Sequence, residues 1–447
     1  MKKSFKSLMG VLIVLILAMS FVTCQKKEAA SGQIELTVLN YFSMTNPNAA
    51  EEVAKVWDAF EKANPDIKII REDEFNEPFH YKTESYAAAG QIPDVVHCWP
   101  SGRSTTLHTQ HLLKDLAPFI QRDGLASVFT PVSLDPSGQL GYLAMIPRGI
   151  TATNAFFVNL EVLNDCGLQP AKTYAELKAQ VPVLRAKGYE TILMANDETW
   201  VMQSCLFSSL AGRFCGEGWE KKIISGQAKF TDPDFVAALN FVKAMYDDGV
   251  LSQATIATDY GSVAGLFATN KGAYLIDGDW RVGDFLTDAS TGQALISPDR
   301  QKNILITVFP DIDGVKFNKS NTTVLATGWG MSNALPSGSA KEEAAWRLVK
   351  WLTGKEVQSF FVETGTFATP SRTDIDLASL PLEPMQIAVA NLGQEYNIST
   401  VVIDAAFEGP VYTPLNDGLQ AIGLGSQTPQ QVAAATQAAF DAWKATQ

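Results

Sequence analysis

The hydrophobic pattern of the chain alternates between short strand-like runs and longer helix-like repeats. Residues 34–39 alternate apolar and polar side chains with a period of two, which predicts a strand. Asn46 and Pro47 then predict a helix start, and apolar residues recur with helical spacing from Val53 to Phe60. Residues 67–70 predict a second strand. A strand, a helix and a second strand in this order predict the start of a parallel sheet.

The same alternation continues toward the C-terminus. A helix over 81–89 precedes a strand that begins at Pro93, and later helices are predicted to start at Asp232, Ser339 and Thr428. Beyond the N-terminal region we find no internal repeat and no low-complexity segment. The predicted fold class is therefore α/β, with strands and helices alternating throughout.

The first residues of the chain predict export. Lys2, Lys3 and Lys6 precede an apolar run from Leu8 to Val22. Fifteen residues are short for a membrane span, which needs about 20, but they are typical of the apolar region of a secretory signal peptide.

The residue that follows this run indicates how the exported chain is attached. Cys24 resembles the acylated cysteine of a bacterial lipoprotein, and a polar stretch follows it. This interpretation gives a signal peptide at 1–23 and a flexible tether at 24–33. The alternative is ordinary cleavage after Ser20, because Ala-Met-Ser is also a small-x-small site.

Charge and motif content exclude several classes of function. The formal net charge is −13, and loss of 1–23 removes three lysines and no acids, leaving −16. Such an acidic body argues against nucleic acid or anionic lipid as a partner. No phosphate-binding glycine motif and no nucleophile elbow is present, so neither a cofactor nor catalysis is predicted.

The cysteines downstream of Cys24 show no metal or redox motif. They are Cys98, Cys166, Cys205 and Cys215, and none forms a CxxC pair. In an oxidising compartment a disulfide between Cys205 and Cys215 remains open, as does the alternative that these cysteines are buried apolar side chains.

Four segments together resemble a known family. They cover 89–96 (AGQIPDVV), 141–147 (GYLAMIP), 271–280 (KGAYLIDGDW) and 345–352 (AWRLVKWL). Their order and spacing, behind a lipoprotein-like signal, are similar to those of the family 1 extracellular solute-binding proteins, which include the maltose-type sugar-binding proteins of ABC importers. The resemblance spans about 34–447.

The resemblance implies a periplasmic binding protein-like fold of class II, with two α/β lobes and a ligand cleft between them. It places 34–147 and 310–353 in the N-terminal lobe, and 148–309 and 354–447 in the C-terminal lobe. It further implies a carbohydrate ligand, ABC permease subunits as partners, and a lipid-anchored monomer on the periplasmic or extracellular side. In such proteins the bound ligand favours the closed arrangement of the lobes.

Candidate ligand contacts follow from the chemistry of a sugar, whose C–H faces pack on aromatic rings while its hydroxyls need polar partners. Trp280, Trp200 and Trp99 match positions where the family contacts ligand, and the other candidates lie at strand ends or in loops. The aromatic candidates are Trp280, Trp200, Trp99, Trp329, Tyr41 and Phe42, and the polar candidates are Asp279, Ser101, Arg372 and Arg148. By contrast, Trp57, Trp346 and Trp443 lie on helical apolar stripes and are predicted to be core residues.

Residues 414–418 depart from the maltose-type pattern. Maltose-type proteins stack sugar on an aromatic residue near the start of a late helix, but this segment has none, and only Tyr412 lies nearby. The sequence therefore does not support a maltodextrin-specific identity.

The alternative to a sugar-binding protein is a binding protein for a glycerol phosphate, another polyol or a metal. His80, His97, His108 and His111 fall within 32 residues, but no HExxH pattern accompanies them, so no metal site is predicted. An exported glycosidase could use a carboxylate pair such as Asp277 and Asp279, but nothing else in the sequence supports catalysis.

Overall fold

The computed structural model describes residues 32–139, 141–289, 291–392, 396 and 398–446. The predicted signal peptide, Cys24 and most of the predicted tether lie outside the described residues. Among the residues described, no helix is both long enough and apolar enough to cross a membrane.

The strands of the described chain form three sheets. In chain order the strands are β1 (Ile34–Tyr41), β2 (Ile67–Glu74), β3 (Val95–Cys98), β4 (Ile146–Pro147), β5 (Gly149–Ala152), β6 (Ala155–Asn159), β7 (Glu190–Leu193), β8 (Gly272–Asp277), β9 (Ile304–Thr307), β10 (Ser320–Leu325), β11 (Gly328–Met331), β12 (Thr369–Pro370) and β13 (Ile398–Thr400). The first sheet has the order β2-β1-β3-β11-β4, the second β12-β5-β10-β13 and the third β7-β8-β6-β9.

Strand direction distinguishes the sheets. In the first, β1 is parallel to both β2 and β3, while β11 is antiparallel to β3 and β4. In the third, β7 and β8 are parallel, and β6 runs antiparallel to β8 and β9. The parallel pairs confirm the strand-helix-strand units predicted from the sequence.

The second sheet joins the other two. The chain passes from β4 in the first sheet through β5 in the second to β6 in the third, over residues 146–159. It returns from β9 in the third sheet through β10 in the second to β11 in the first. Two crossings through one small sheet are a hinge-like connection between two larger bodies.

Helices surround these sheets. The α-helices are Ala49–Glu52, Ala59–Ala63, Glu77–Ala88, Thr105–Thr109, Ala117–Arg122, Leu160–Asp165, Tyr174–Ala186, Trp200–Met202, Ser208–Cys215, Trp219–Ile224, Pro233–Asp247, Ala254–Ala257, Val263–Ala268, Pro298–Gln301, Ala340–Leu352, Lys355–Glu363, Pro384–Ala390, Ile403–Ala406, Gly409–Leu424 and Pro429–Lys444. The 3-10 helices are Ser101–Ser104, Ala126–Val128, Pro131–Leu134, Pro136–Gln139, Asp279–Phe285 and Leu377–Ser379, and π-helical turns occupy Val53–Asp58 and Gln203–Phe207.

The larger sheets are buried on both faces. Alternate residues of β6 point to opposite sides, so that Phe156 and Val158 join one hydrophobic core and Phe157 joins another. The first sheet is covered in the same way, with Val38 in one core and Leu39 in the other. This double burial explains why the central strands β3, β6 and β8 are apolar along most of their length.

Several predicted helix starts are confirmed. Ser339 accepts a hydrogen bond from the Glu342 N–H at 3.1 Å, and Thr428 forms a capping box with Gln431. The predicted start of the first helix is wrong, because the helix begins after Asn48 and not after Asn46. Asn48 has a left-handed φ of 58°, a conformation that asparagine tolerates better than most residues.

Two further regions differ from the sequence-based expectation. The late helix begins at Gly409, so Pro414 lies within it and Tyr412 lies in its first turn. The helix Lys355–Glu363 packs its phenylalanines against the core of the first sheet, whereas the predicted division assigned this segment to the other lobe. The lobe boundaries themselves remain a proposal.

The cysteines of the described chain are free. Cys98, Cys166, Cys205 and Cys215 form no disulfide, so the bridge left open between Cys205 and Cys215 is not formed. Cys205 is buried beside Asp277, with its thiol directed at that carboxylate over 3.8 Å, and burial raises the pKa of the Cys205 thiol. A neutral, enclosed thiol is consistent with the alternative that these cysteines are buried apolar side chains.

Candidate ligand-binding site

A cavity of about 340 Å³ lies where the three sheets approach one another. Tyr41 and Trp99, at the ends of β1 and β3, line it from the first sheet. Trp200 and Trp280 line it from the third sheet, and Thr151 of β5 lies at its base. Carboxyl ends of parallel strands meet at one edge of a sheet, which is where open α/β folds bind ligands.

The wall from the first sheet is built of aromatic rings in tilted and edge-to-face contact. The Tyr41 ring lies 4.8 Å from both Phe75 and Trp99, and the His80 ring lies 4.6 Å from Trp99. Burial, assisted by the charge of Arg103, lowers the pKa of His80 to about 2. The His80 imidazole is therefore neutral at physiological pH, and the wall carries no charge at this point.

The wall from the third sheet carries a second group of rings. Tyr260 lies 5.1 Å from Trp200, and Trp280 lies 6.3 Å from Trp200. Nε1 of Trp200 donates to Glu198 at 3.0 Å, and Nε1 of Trp280 donates to the Tyr260 hydroxyl. The indole N–H groups are thus satisfied within the protein, which fixes each ring and leaves its apolar surface for a ligand.

Gly278 positions the Trp280 indole. A Cβ at Gly278 would lie 2.3 Å from atoms of that ring, so only glycine allows the ring to fold back over its own backbone. The sequence motif Asp-Gly-Asp-Trp therefore has a steric basis, which is close approach of the ring rather than a left-handed turn.

Polar contacts join the two walls at the rim. Arg103 donates to Asp404 at 2.9 Å and to Glu77 at 3.3 Å. The Asn48 N–H donates to Asp288 at 2.9 Å, and Asn48 Oδ1 accepts from the Ala289 N–H. The contacts of Arg103 with Asp404 and of Asn48 with Asp288 and Ala289 connect residues that lie more than 200 positions apart in the chain, so the walls are held together in a closed arrangement.

Gly102 lies at the tightest point of this closure. A Cβ on Gly102 would lie 2.2 Å from the Asp404 carbonyl oxygen and 2.4 Å from that of Phe407. Any larger residue here would force the helix Ile403–Ala406 away from the first wall. The close approach of the walls therefore depends on this glycine.

A charged part of the lining lies beside the hinge. Arg148 connects β4 to β5, and its Nη2 donates to the Thr327 hydroxyl at 2.9 Å. Burial lowers the pKa of Arg148 to about 10, an effect that Glu52 opposes. Burial raises the pKa of Glu52 to about 7, an effect that Arg148 and Arg71 oppose.

The cavity brings together five of the ten residues predicted to contact ligand. The residues in its lining are Trp280, Trp200, Trp99, Tyr41 and Arg148. The backbone of Ser101 begins the 3-10 helix after Trp99, and its side chain lies outside the described part of the structure.

Four predicted residues lie outside this cavity. Trp329 is 2 % exposed and packs between Trp57 and His97, and Phe42 is 3 % exposed in the interior. Arg372 pairs with Asp374 at 2.8 Å.

Asp279 is the fourth of these residues. It is buried and accepts a hydrogen bond from the Ala152 N–H at 2.8 Å, and burial raises its pKa to about 7. Ala152 belongs to β5 of the second sheet, and Asp279 begins the 3-10 helix Asp279–Phe285. The hydrogen bond therefore holds the start of this helix against the second sheet, which is a structural role.

Sequence reasoning missed several residues of the lining. Those with polar or aromatic side chains include Glu52, Asn76, Glu77, His80, Arg103, Thr151, Tyr260 and Asp404. Arg103 lies close behind Trp99 and could have been included on that ground. The others carry no local signal, because they reach the cavity only through tertiary packing.

The histidines do not gather around a common point. His97 is buried among aromatic rings, and His108 is buried with its Nδ1 at 2.8 Å from the Gln139 carbonyl oxygen. Within the described ranges no three residues of the types His, Cys, Asp and Glu are placed to hold a metal ion.

Comparison with known proteins identifies relatives of this architecture. The family profile described as "Bacterial extracellular solute-binding protein" matches residues 55–384. A structure from work on xylan utilization by Caldanaerobius polysaccharolyticus superposes with a TM-score of 0.80 at 21% identity, covering 91% of this chain and 99% of that one. A chitin oligosaccharide binding protein gives a TM-score of 0.80 at 19% identity, covering 92% and 99%.

A third structure is similar over the same extent. The maltose/maltodextrin-binding domain of Bdellovibrio bacteriovorus, bound to maltotriose, gives a TM-score of 0.69 at 20% identity and covers 92% of this chain and 99% of its own. Such identities show a common fold. The predicted periplasmic binding protein-like fold with two α/β lobes is thereby confirmed.

Proposed function

Because this chain belongs to the bacterial extracellular solute-binding protein family, we propose that it is the substrate-binding component of an ABC importer and captures a sugar or oligosaccharide between its lobes. The observation that carries the proposal is the pair of facing aromatic walls, with Tyr41 and Trp99 on one side and Trp200 and Trp280 on the other. Sugar C–H faces pack on such rings, and polar side chains around them bind the hydroxyls.

The size and closure of the cavity support the same ligand class. A volume of about 340 Å³ is within the range of small-molecule sites. The contacts of Arg103 with Asp404 and of Asn48 with Asp288 form only when the walls meet, so closure would enclose the ligand. A ligand that touches both walls shifts the population toward the closed form, which a permease could then recognise.

The structures similar to this chain agree with a carbohydrate ligand. One was solved with maltotriose, and another is described as a chitin oligosaccharide binding protein. We extend the ligand class, but no particular sugar, to this chain. We further propose that it acts as a monomer without catalytic activity, lipid-anchored through Cys24 on the outer side of the cell membrane.

Thermal unfolding and calorimetry with a defined panel test this proposal. The purified chain from Gln25 onward is titrated with maltotriose, xylotriose, chitotriose, glucose and glycerol 3-phosphate. We expect at least one of the sugars to bind, with a stabilisation of about 2.7 kcal/mol at a concentration 100 times its Kd. Binding of glycerol 3-phosphate alone would favour the alternative ligand class, and hydrolysis of a bound sugar would contradict a purely binding role.

A further inference from the structure

Two charged side chains in the cavity lining, Glu52 and Arg148, differ from the other charged ones in their ion pairing. Arg103 pairs with Glu77 and Asp404, and Asp284 pairs with Arg281. Glu52 and Arg148 also line the cavity, but neither forms an ion pair with any residue in the described part of the chain. A charge buried without a partner is unfavourable, so this part of the lining is incomplete without a ligand.

Arg148 is held in place by its neighbours. Its backbone N–H donates to the Thr327 carbonyl at 3.0 Å, its Nη2 donates to the Thr327 hydroxyl, and its guanidinium lies 4.6 Å from the centre of the Phe361 ring. The side chain is 9 % exposed, and its Nε has no partner among the described residues. A guanidinium has five N–H donors, so most of the donor capacity of Arg148 remains unused.

Glu52 faces the same cavity from the end of the helix Ala49–Glu52. Its neighbours act on its pKa in both directions: Arg148, Arg71 and the nearby Trp57 indole N–H lower it, and Asp73 raises it. Arg71 is already paired with Asp73 at 2.7 Å, so it is not available as a counterion. The half-buried Glu52 carboxylate therefore has no cation at ion-pair distance among the described residues.

From this arrangement we infer that Glu52 and Arg148 form a subsite for one hydroxyl of the bound sugar, with the hydroxyl oxygen accepting from Arg148 and the hydroxyl proton donated to Glu52. The inference rests on the proposed function. A hydroxyl is the neutral group that both donates and accepts. A carboxylate at this point would be repelled by Glu52 and an ammonium group by Arg148, so the subsite selects a neutral sugar.

The subsite predicts that sugar affinity depends on pH. A hydroxyl that donates to Glu52 favours the ionised carboxylate, so binding lowers the pKa of Glu52 from its free value of about 7. Affinity should then be full above pH 7 and fall below it, by about tenfold between pH 8 and pH 6. Arg148, with its pKa at about 10, remains charged over this range.

The test measures binding of the tightest sugar in the panel by calorimetry at pH 8 and pH 6. We expect Glu52→Gln to weaken binding about tenfold to a hundredfold at pH 8 and to remove the pH dependence. The matched control is Glu51→Gln, since Glu51 pairs with Lys55 at 2.6 Å outside the cavity. Its affinity and its pH profile should equal those of the unmodified protein.

A second pair of variants covers the other half of the subsite. Arg148→Lys should weaken binding of the same sugar about tenfold, whereas Arg372→Lys, outside the cavity, should not. Unchanged affinity in both Glu52→Gln and Arg148→Lys would overturn the subsite while leaving sugar binding intact. Tighter binding of xylotriose that carries a glucuronic acid than of xylotriose itself would also overturn it, and failure of every sugar to bind would instead contradict the proposed function.

Discussion

The aromatic part and the charged part of the cavity lining differ in whether their polar groups already have partners within the protein. The rings of Trp200 and Trp280 are braced by each other and by Tyr260, and their N–H groups are already bonded. Glu52 and Arg148, by contrast, are charged groups without ion-pair partners within the described chain. A rigid apolar surface binds many sugars at little entropic cost, whereas charged groups with unused hydrogen-bonding capacity discriminate between them.

Both parts act only when the walls meet, so the largest effect should come from Gly102. Gly102→Ala would place a methyl group against the carbonyl oxygens of Asp404 and Phe407 and hold the walls apart. A closed population of about 1% would weaken sugar binding about a hundredfold. Calorimetry measures the affinity, and small-angle scattering should show no compaction when the sugar is added.

The control for this prediction is another glycine. Gly265 lies in the helix Val263–Ala268, and a Cβ there would meet no atom within 4 Å. Gly265→Ala should leave both the affinity and the compaction unchanged. Normal compaction in Gly102→Ala would show that the rim can close without this contact.

The next largest effect concerns the aromatic part alone. Trp280→Ala removes a stacking surface from one wall, and we expect it to weaken sugar binding by more than about tenfold. The variant should still fold, because Trp280 is only partly buried and packs at the edge of its core. The matched substitution Trp443→Ala lies in the last helix, outside the cavity, and should leave affinity unchanged. Equal affinities in the two variants would remove Trp280 from the site.

The same contrast explains which features of the fold and of the lining could be predicted from the sequence. Strand and helix periodicity predicted the α/β fold, and the family resemblance predicted that Trp99, Trp200 and Trp280 contact the ligand. Glu52 could not be distinguished from Glu51 because both are polar residues of one helical turn, and only tertiary packing turns Glu52 toward the cavity. Likewise, Arg103 and Asp404 meet across 301 positions of sequence, which no local pattern encodes.

Trp329 shows how a local signal can mislead. Trp329 was predicted to contact the ligand because it does not lie on a helical apolar stripe, but it belongs to the buried strand β11. A Cβ at Gly328 would lie 2.2 Å from the Ile146 carbonyl oxygen, and one at Gly330 would lie 2.8 Å from that of Ala144. The glycines therefore allow close packing of neighbouring backbone inside the first sheet, and the ring between them points into the core.

The smallest expected effect on binding follows from this placement of Trp329. Its indole packs 5.7 Å from Trp57 and 4.8 Å from His97, and its N–H has no partner in the described structure. Trp329→Phe should therefore cost about 1–2 kcal/mol of unfolding free energy through lost packing, measured by denaturant titration, while sugar affinity changes less than about twofold. A large loss of affinity with unchanged stability would return Trp329 to the ligand site and would mean that the walls rearrange when the sugar binds.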